Sequence, residues 1–208
     1  MSDAERGPLW PLLPPNARML VFAGSGDGGL ARAYRATYPA STLHAVEAER
    51  AQAVRAQAWC DLVHQAPLEA VGAPFFQHLR LADAWVFDDF AALAEPGLVL
   101  GQIRKVLQAD ASVIVRVPNA QHWQFQAQLH LGMIPELGAR RYGRASIARL
   151  FQDSGLRLVS FVAVDGPPPA NPALAGALGQ VAQALGLDPA AAARDAVPTH
   201  LLVKAMLP

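Results

Sequence analysis

The chain has 208 residues, enough for one domain with a sizeable core, and its 17 lysines plus arginines balance 17 aspartates plus glutamates, so no global charge draws it to nucleic acid or an anionic membrane. Cys60 is the only cysteine, which excludes an internal disulfide and fits a reducing compartment. No apolar run has membrane-spanning length, the opening MSDAERGPLWPLLPP lacks the basic start and apolar stretch of a signal peptide, and the histidines at 44, 64, 78, 122, 130 and 200 form no HxxxH or HxH pair, which speaks against a protein-held metal. The expectation is a soluble, cytoplasmic protein.

In chain order, residues 1–17 read as a Pro-rich arm, with Trp10, Leu12 and Leu13 placed to pin it to a single domain over 18–208. RMLVFA (18–23) has the length of a buried strand. Residues 29–37 read as a helix, STLHAVEAE as a strand ending at Glu47, and ERAQAVRAQAW as a second helix. CDLVHQ is a weak third strand, followed by a loop. ADAWVFDDF is a fourth strand ending in Asp88 and Asp89, with Trp85 and Phe87 as core residues. PGLVLGQIRKVLQ presents one apolar helix face. ASVIVRVPN is a β-branched strand stopped by Pro118. This alternation predicts an α/β doubly wound, mostly parallel sheet with its strand C-termini on one edge, where ligands of such folds bind.

The last third departs from alternation. QHWQFQAQLHLGMIPELGARRYG reads as a cover over the cleft edge, so residues of about 120–145 form the lid and acceptor region. RASIARLFQDSG reads as a helix closed by Gly155. LRLVSFVAV is a strand, DGPPPANPA a loop, 173–186 a helix, the Ala-rich 189–196 a short helix, and THLLVKAML the final strand. The last two strands are expected to pair antiparallel at the sheet edge.

The stretch VFAGSGDGGLARAYRA holds four glycines between positions 24 and 29, after a strand and before a helix. Glycines permit positive φ and let a ligand touch the backbone, while free N–H groups at a helix start can face a polar or anionic group. Glu47 lies 19 residues after Gly28, at the end of the second strand. A carboxylate there can accept both hydroxyls of a ribose. The turn satisfies both GxGxxG and GxGxG, so spacing leaves two cofactors open: a nicotinamide or flavin dinucleotide, and S-adenosylmethionine.

Residues 18 to about 163 resemble the class I S-adenosylmethionine-dependent methyltransferases, in the small-molecule branch that carries a late PN-x-x-HW segment. The matching pieces stand in order: GSGDGGLARA, AVEAERA, WVFDDFAAL, IRKVLQADAS, VIVRVPNAQHW and RRYGRASIARLFQDSGLRLVSF. The resemblance implies a seven-stranded, mostly parallel sheet with the last strand inserted antiparallel. It implies that Gly24, Gly26 and Gly28 pass under the methionine part of the cofactor, with Ser25 and Asp27 of the same turn also cofactor-binding, that Glu47 holds the ribose, that Asp88 lies beside cofactor or acceptor, and that His122 and Trp123 face the acceptor. His122 is then the candidate general base by type and place.

Two positions depart from the family pattern. An acidic residue two places before the first glycine is replaced by Phe22, and an acid after the third strand is replaced by Ala66 and Pro67. Asp27 or Asp88 is the candidate replacement for the first. Asp89 is read as a helix cap, His64 as a strand residue with a satisfied hydrogen bond, and Arg140, Arg141 and Arg144 as either a solvated face or a site for an anionic acceptor. The leading expectation is a methyltransferase for a small molecule, binding neither nucleic acid nor membrane and holding no metal. A homodimer contact is open to the Pro-rich arm and the Ala-rich segment. The competing readings are a methyltransferase-like domain without activity that serves as a binding or regulatory module, and a nicotinamide-dependent oxidoreductase.

Overall fold

The computed structural model describes residues 7–24, 26–133, 140–166 and 172–208. Ser25, lid residues 134–139 and most of the DGPPPANPA loop lie outside the described residues. Seven strands form one sheet: β1 (Met19–Ala23), β2 (Thr42–Glu47), β3 (Leu62–Gln65), β4 (Ala84–Phe87), β5 (Ser112–Pro118), β6 (Arg157–Asp165) and β7 (Pro198–Met206). Their order is β3-β2-β1-β4-β5-β7-β6. The pairs among β1 to β5 are parallel, while β7 is antiparallel to both β5 and β6. The late strand pair therefore lies at one side of the sheet, with β7 inserted and β6 outermost.

Eight helices accompany the strands among the described residues: α1 (Gly29–Thr37), α2 (Arg50–Ala56), α3 (Ala73–His78), α4 (Pro96–Val106), α5 (Trp123–His130), α6 (Arg144–Asp153), α7 (Pro172–Ala184) and α8 (Pro189–Asp195). Helix α3 stands where the sequence reads as loop. It has only six residues and starts with Pro74 in its first turn; it is held by Phe76, which is fully buried. So short a segment carries too little periodicity to announce itself.

Period-2 alternation divides the strand residues between two cores. Val21 and Ala23 of β1, Trp85 and Phe87 of β4, and Val113, Val115 and Val117 of β5 meet Phe76, Ile103 and Phe151 on one face. Leu20, Phe22, Ala84, Val86 and Ile114 meet Ala31 and Tyr34 of α1 on the other. The N-terminal arm closes this second core: Leu9, Leu12 and Leu13 are buried in it. The Tyr34 hydroxyl donates to the Pro14 carbonyl at 2.7 Å and accepts from the Ala17 N–H at 2.8 Å. Lys204 Nζ donates to the Leu12 carbonyl from β7.

Helix α6 ends as its sequence suggests. Gly155 takes a φ of 72°, and the Leu156 N–H returns to the Phe151 carbonyl at 2.9 Å. A left-handed glycine closing a helix in this way satisfies carbonyls that have no partner within it.

Candidate functional site

The parallel strands end on one edge, and the glycine turn leaves β1 there. Gly24, Gly26 and Gly28 all have positive φ, at 63°, 60° and 74°. The turn is tied to the next strand by the Gly24 N–H, which donates to the Val46 carbonyl at 3.2 Å. At Gly28 the requirement is doubly strict, because a Cβ there would lie 2.3 Å from the Trp59 ring. Asp27 Oδ1 accepts the Gly29 N–H at 2.8 Å, closing the turn onto the first residue of α1.

A cleft of about 270 Å³ opens beside this turn, between the ends of β1, β2 and β4. Gly24 and Gly26 form part of its wall, and Glu47 stands opposite at the end of β2. Glu47 is only 3% exposed, so this carboxylate belongs to the interior wall of the cleft and not to the open surface. Glu49, Glu69 and Asp89 also line the cleft. The Glu69 carboxylate accepts the Ala94 N–H at 2.8 Å, which holds its loop in place. Ala66 and Pro67 line the same space. Phe22 does not: it is packed in the opposite core against arm and α1 residues.

Asp88 and Asp89 part company at the end of β4. Asp89 faces the first cleft. It precedes the 3-10 turn Phe90–Ala92 but makes no side-chain cap, contrary to the capping role expected of it. Asp88 faces a second cleft on the far side of the turn, of about 170 Å³, with Asp27, Gly29 and Arg116. Its Oδ1 pairs with Arg116 Nε at 2.9 Å, and its Oδ2 would lie 3.5 Å from a Cβ at Gly26. Burial pushes the Asp88 carboxyl above the usual range, opposed by Arg116 and reinforced by the nearby Asp27 and Asp89 charges.

A third cleft, of about 360 Å³, lies further along the same edge at the ends of β5 and β7. The PN segment builds it. Buried Asn119 donates through Nδ2 to the carbonyls of Asp195 and Pro198, both at 2.8 Å, and accepts the Gln121 N–H at 2.9 Å. This knot turns the chain out of β5 and sets His122 at the start of α5. His122 is 7% exposed and its Nε2 is buried without a hydrogen-bond partner. Burial, then the Arg141 charge, holds the imidazole below its ordinary range. His200 of β7 faces the same cleft; nothing in its spacing marked it, because only the β5–β7 register, Pro118 opposite His200, brings it there.

The three arginines around Tyr142 separate. Arg140 donates to the Ala94 carbonyl. Arg144 pairs with Asp195 and lies 4.3 Å over the Phe161 ring. Arg141 alone lines the His122 cleft, with its guanidinium 4.4 Å over Phe125. His64 lies elsewhere, near the opposite side of the sheet, within 3.4 Å of His44 Nδ1 through its Nε2 and packed edge-on against His78. No group of three His, Cys, Asp or Glu among the described residues could hold a metal ion, and no described helix is long and apolar enough to cross a membrane.

No protein-family model matches this sequence, and no curated protein matches it. Solved structures do share its architecture. An S-adenosylmethionine-dependent methyltransferase from Mesorhizobium loti is 15% identical over 95% of this chain and 96% of its own, with a TM-score of 0.62. Magnesium protoporphyrin IX methyltransferase from Synechocystis PCC 6803, with bound S-adenosylhomocysteine, is 12% identical over 91% of this chain and 74% of its own, with a TM-score of 0.59. An O-methyltransferase from neocarzinostatin biosynthesis, NcsB1, in complex with S-adenosyl-L-homocysteine and 1,4-dihydroxy-2-naphthoic acid, is 12% identical over 92% of this chain and 49% of its own, with a TM-score of 0.56. The chain has the fold of the class I S-adenosylmethionine-dependent methyltransferases.

Proposed function

We propose that this chain, which carries the methyltransferase fold, binds S-adenosylmethionine and transfers its methyl group to a small-molecule acceptor in the cytoplasm. The observation that carries the reading is Glu47, a buried carboxylate that faces the glycine turn across a cleft at the strand C-termini. A vicinal diol is the neutral partner that a carboxylate in this position holds with two hydrogen bonds.

The residues present fit the cofactor. Gly24 and Gly26 let a ligand approach the backbone of the turn, which Asp27 closes onto α1. Four carboxylates, of Glu47, Glu49, Glu69 and Asp89, line the cleft. Such a wall attracts a sulfonium cation and repels the pyrophosphate of a nicotinamide or flavin dinucleotide. Phe22 lies off this cleft and fills none of it. Glu69 offers a carboxylate on the loop where Ala66 and Pro67 have none. On the far side of Gly26 the Asp88–Arg116 pair complements a zwitterion: Asp88 would accept from the cofactor's ammonium group and Arg116 would donate to its carboxylate. That arrangement supplies the acceptor that Phe22 lacks.

When bound, S-adenosylmethionine supplies a methyl group activated on a sulfonium, which passes to the acceptor by in-line displacement. The chain aligns the acceptor and excludes water. For a hydroxyl acceptor, His122, whose side chain lines the third cleft and whose imidazole burial holds below its ordinary range, is the residue placed to take the proton.

Calorimetric titration with S-adenosylhomocysteine, with NAD as the control, tests the reading. Micromolar binding, about −8 kcal/mol, is expected for S-adenosylhomocysteine alone. No heat with it would overturn the reading and favour a methyltransferase-like binding module; binding of NAD alone would favour the oxidoreductase.

A further inference from the structure

The two ends of the strand edge differ in electrostatic sign. The first cleft is walled by four carboxylates. The third has no acidic residue among its described lining; it is formed by His122, Gln124, Phe125, Arg141, Thr199 and His200, among others. Arg141 is its permanent cation, since a guanidinium does not deprotonate in a protein. Its charge is held in place by the Phe125 ring at 4.4 Å.

The polar groups of this cleft are incompletely paired within the chain. His122 Nε2 has less than 1 Å² of exposed surface and no partner. A buried ring nitrogen left in that state costs free energy, and such groups in native proteins call for a ligand, water or chemical role. His200 Nδ1 lies 3.1 Å from Thr199 Oγ1, which fixes the ring beside the cleft. Gly166 packs against both side chains: a Cβ there would lie 2.4 Å from Thr199 Cγ2 and 3.4 Å from His122 Nε2.

We propose that this cleft receives an acceptor that carries an oxyanion group, a carboxylate or a phosphate, bound by Arg141 beside the rings of His122 and His200. This deepens the transferase reading by naming the acceptor class. The opposite charges of the two clefts sort the reactants: the cationic donor is drawn to the Glu47 wall and the anionic acceptor to Arg141. Arg141 is planar and forked, which suits bidentate recognition of either oxyanion. His200 stands as a second donor or acceptor across the cleft.

The test uses the full chain labelled with 15N in histidine. The imidazole signals of His122 and His200 are assigned with His122→Gln and His200→Gln, then followed during titration with sodium benzoate and with inorganic phosphate. Benzamide and sodium chloride at equal ionic strength are the controls. A saturable shift of both rings is expected with at least one of the two anions and with neither control. Benzoate alone assigns the site to carboxylic acids, phosphate alone to phosphorylated acceptors. Arg141→Gln should weaken the effect at least tenfold while leaving the His44 and His64 signals in place, which reports an intact fold. Shifts no larger than those of the controls, or an unchanged affinity in Arg141→Gln, would overturn the proposal. The titration needs no cofactor, so its outcome is separate from that with S-adenosylhomocysteine. Anion binding by a chain that ignores S-adenosylhomocysteine would sink the transferase reading and keep the oxyanion site.

Discussion

Asp88 and Asp89 are adjacent in the chain and face different clefts. Asp89 lines the Glu47 cleft, whereas Asp88 turns across the glycine loop to pair with Arg116 at 2.9 Å. At the end of a strand successive side chains point to opposite sides, so the DD pair places one carboxylate on each side of the turn. Two variants then separate the two halves of the cofactor. Glu47→Gln should weaken both S-adenosylhomocysteine and adenosine at least tenfold, because both carry the ribose. Asp88→Asn should weaken S-adenosylhomocysteine by a similar factor and leave adenosine unchanged, because adenosine lacks the amino-acid end. Calorimetry on both ligands checks this, and an equal loss for adenosine in Asp88→Asn would contradict the assignment.

Gly28→Ala should destabilise the chain even with no ligand present. The residue has a φ of 74°, and an added Cβ would lie 2.3 Å from the Trp59 ring. Left-handed strain plus overpacking costs about 1–3 kcal/mol, or roughly 3–10 °C in a chain of this size. Thermal denaturation measures it. The same substitution in a Trp59→Leu background should cost clearly less; an additive result would show that the ring is not the cause.

Asn119→Ala should be among the more damaging single changes. It removes three hydrogen bonds from a buried junction between β5, the end of α8 and the start of β7. Leaving buried carbonyls unpaired costs about 2–4 kcal/mol in total. Chemical denaturation should show a lower midpoint with an unchanged slope. A midpoint near that of the parent would mean that water replaces the amide.

Stability should fall in mild acid. His44, His64, His122 and His200 are all held below the ordinary imidazole range, with burial the leading cause in each. The folded chain therefore binds these protons less readily than the unfolded chain. Their contribution is complete above the unfolded value of about 6.5 and is lost as pH falls below it. The melting temperature is expected to be lower at pH 5.5 than at pH 7.5. The double change His44→Phe with His64→Leu should shrink that difference, since it removes the ring pair at 3.4 Å. A difference that stays the same in the double variant would exclude the pair as a source.

Much of the architecture is written locally in the sequence. β-branched and apolar runs mark β1, β2, β4 and β5 because a buried parallel strand needs apolar side chains on both faces. The glycine turn and Gly155 are legible because positive φ strongly favours one residue type. Helix α3 is not legible, since its existence rests on Phe76 finding the core and not on any repeat within its six residues. Local residue preferences are enough to place the alternation of strands and helices, the turn at Gly24 to Gly28 and the acid at Glu47 that ends the second strand. Tertiary structure alone decided that Phe22 packs away from the cleft, that Asp88 and Asp89 divide, and that Arg141, not its neighbours, joins His122 and His200. The reason is physical: conformational preference and burial pattern act within a few residues, whereas a site is made by side chains far apart in sequence. Sheet register and the Asn119 knot bring those side chains to one edge.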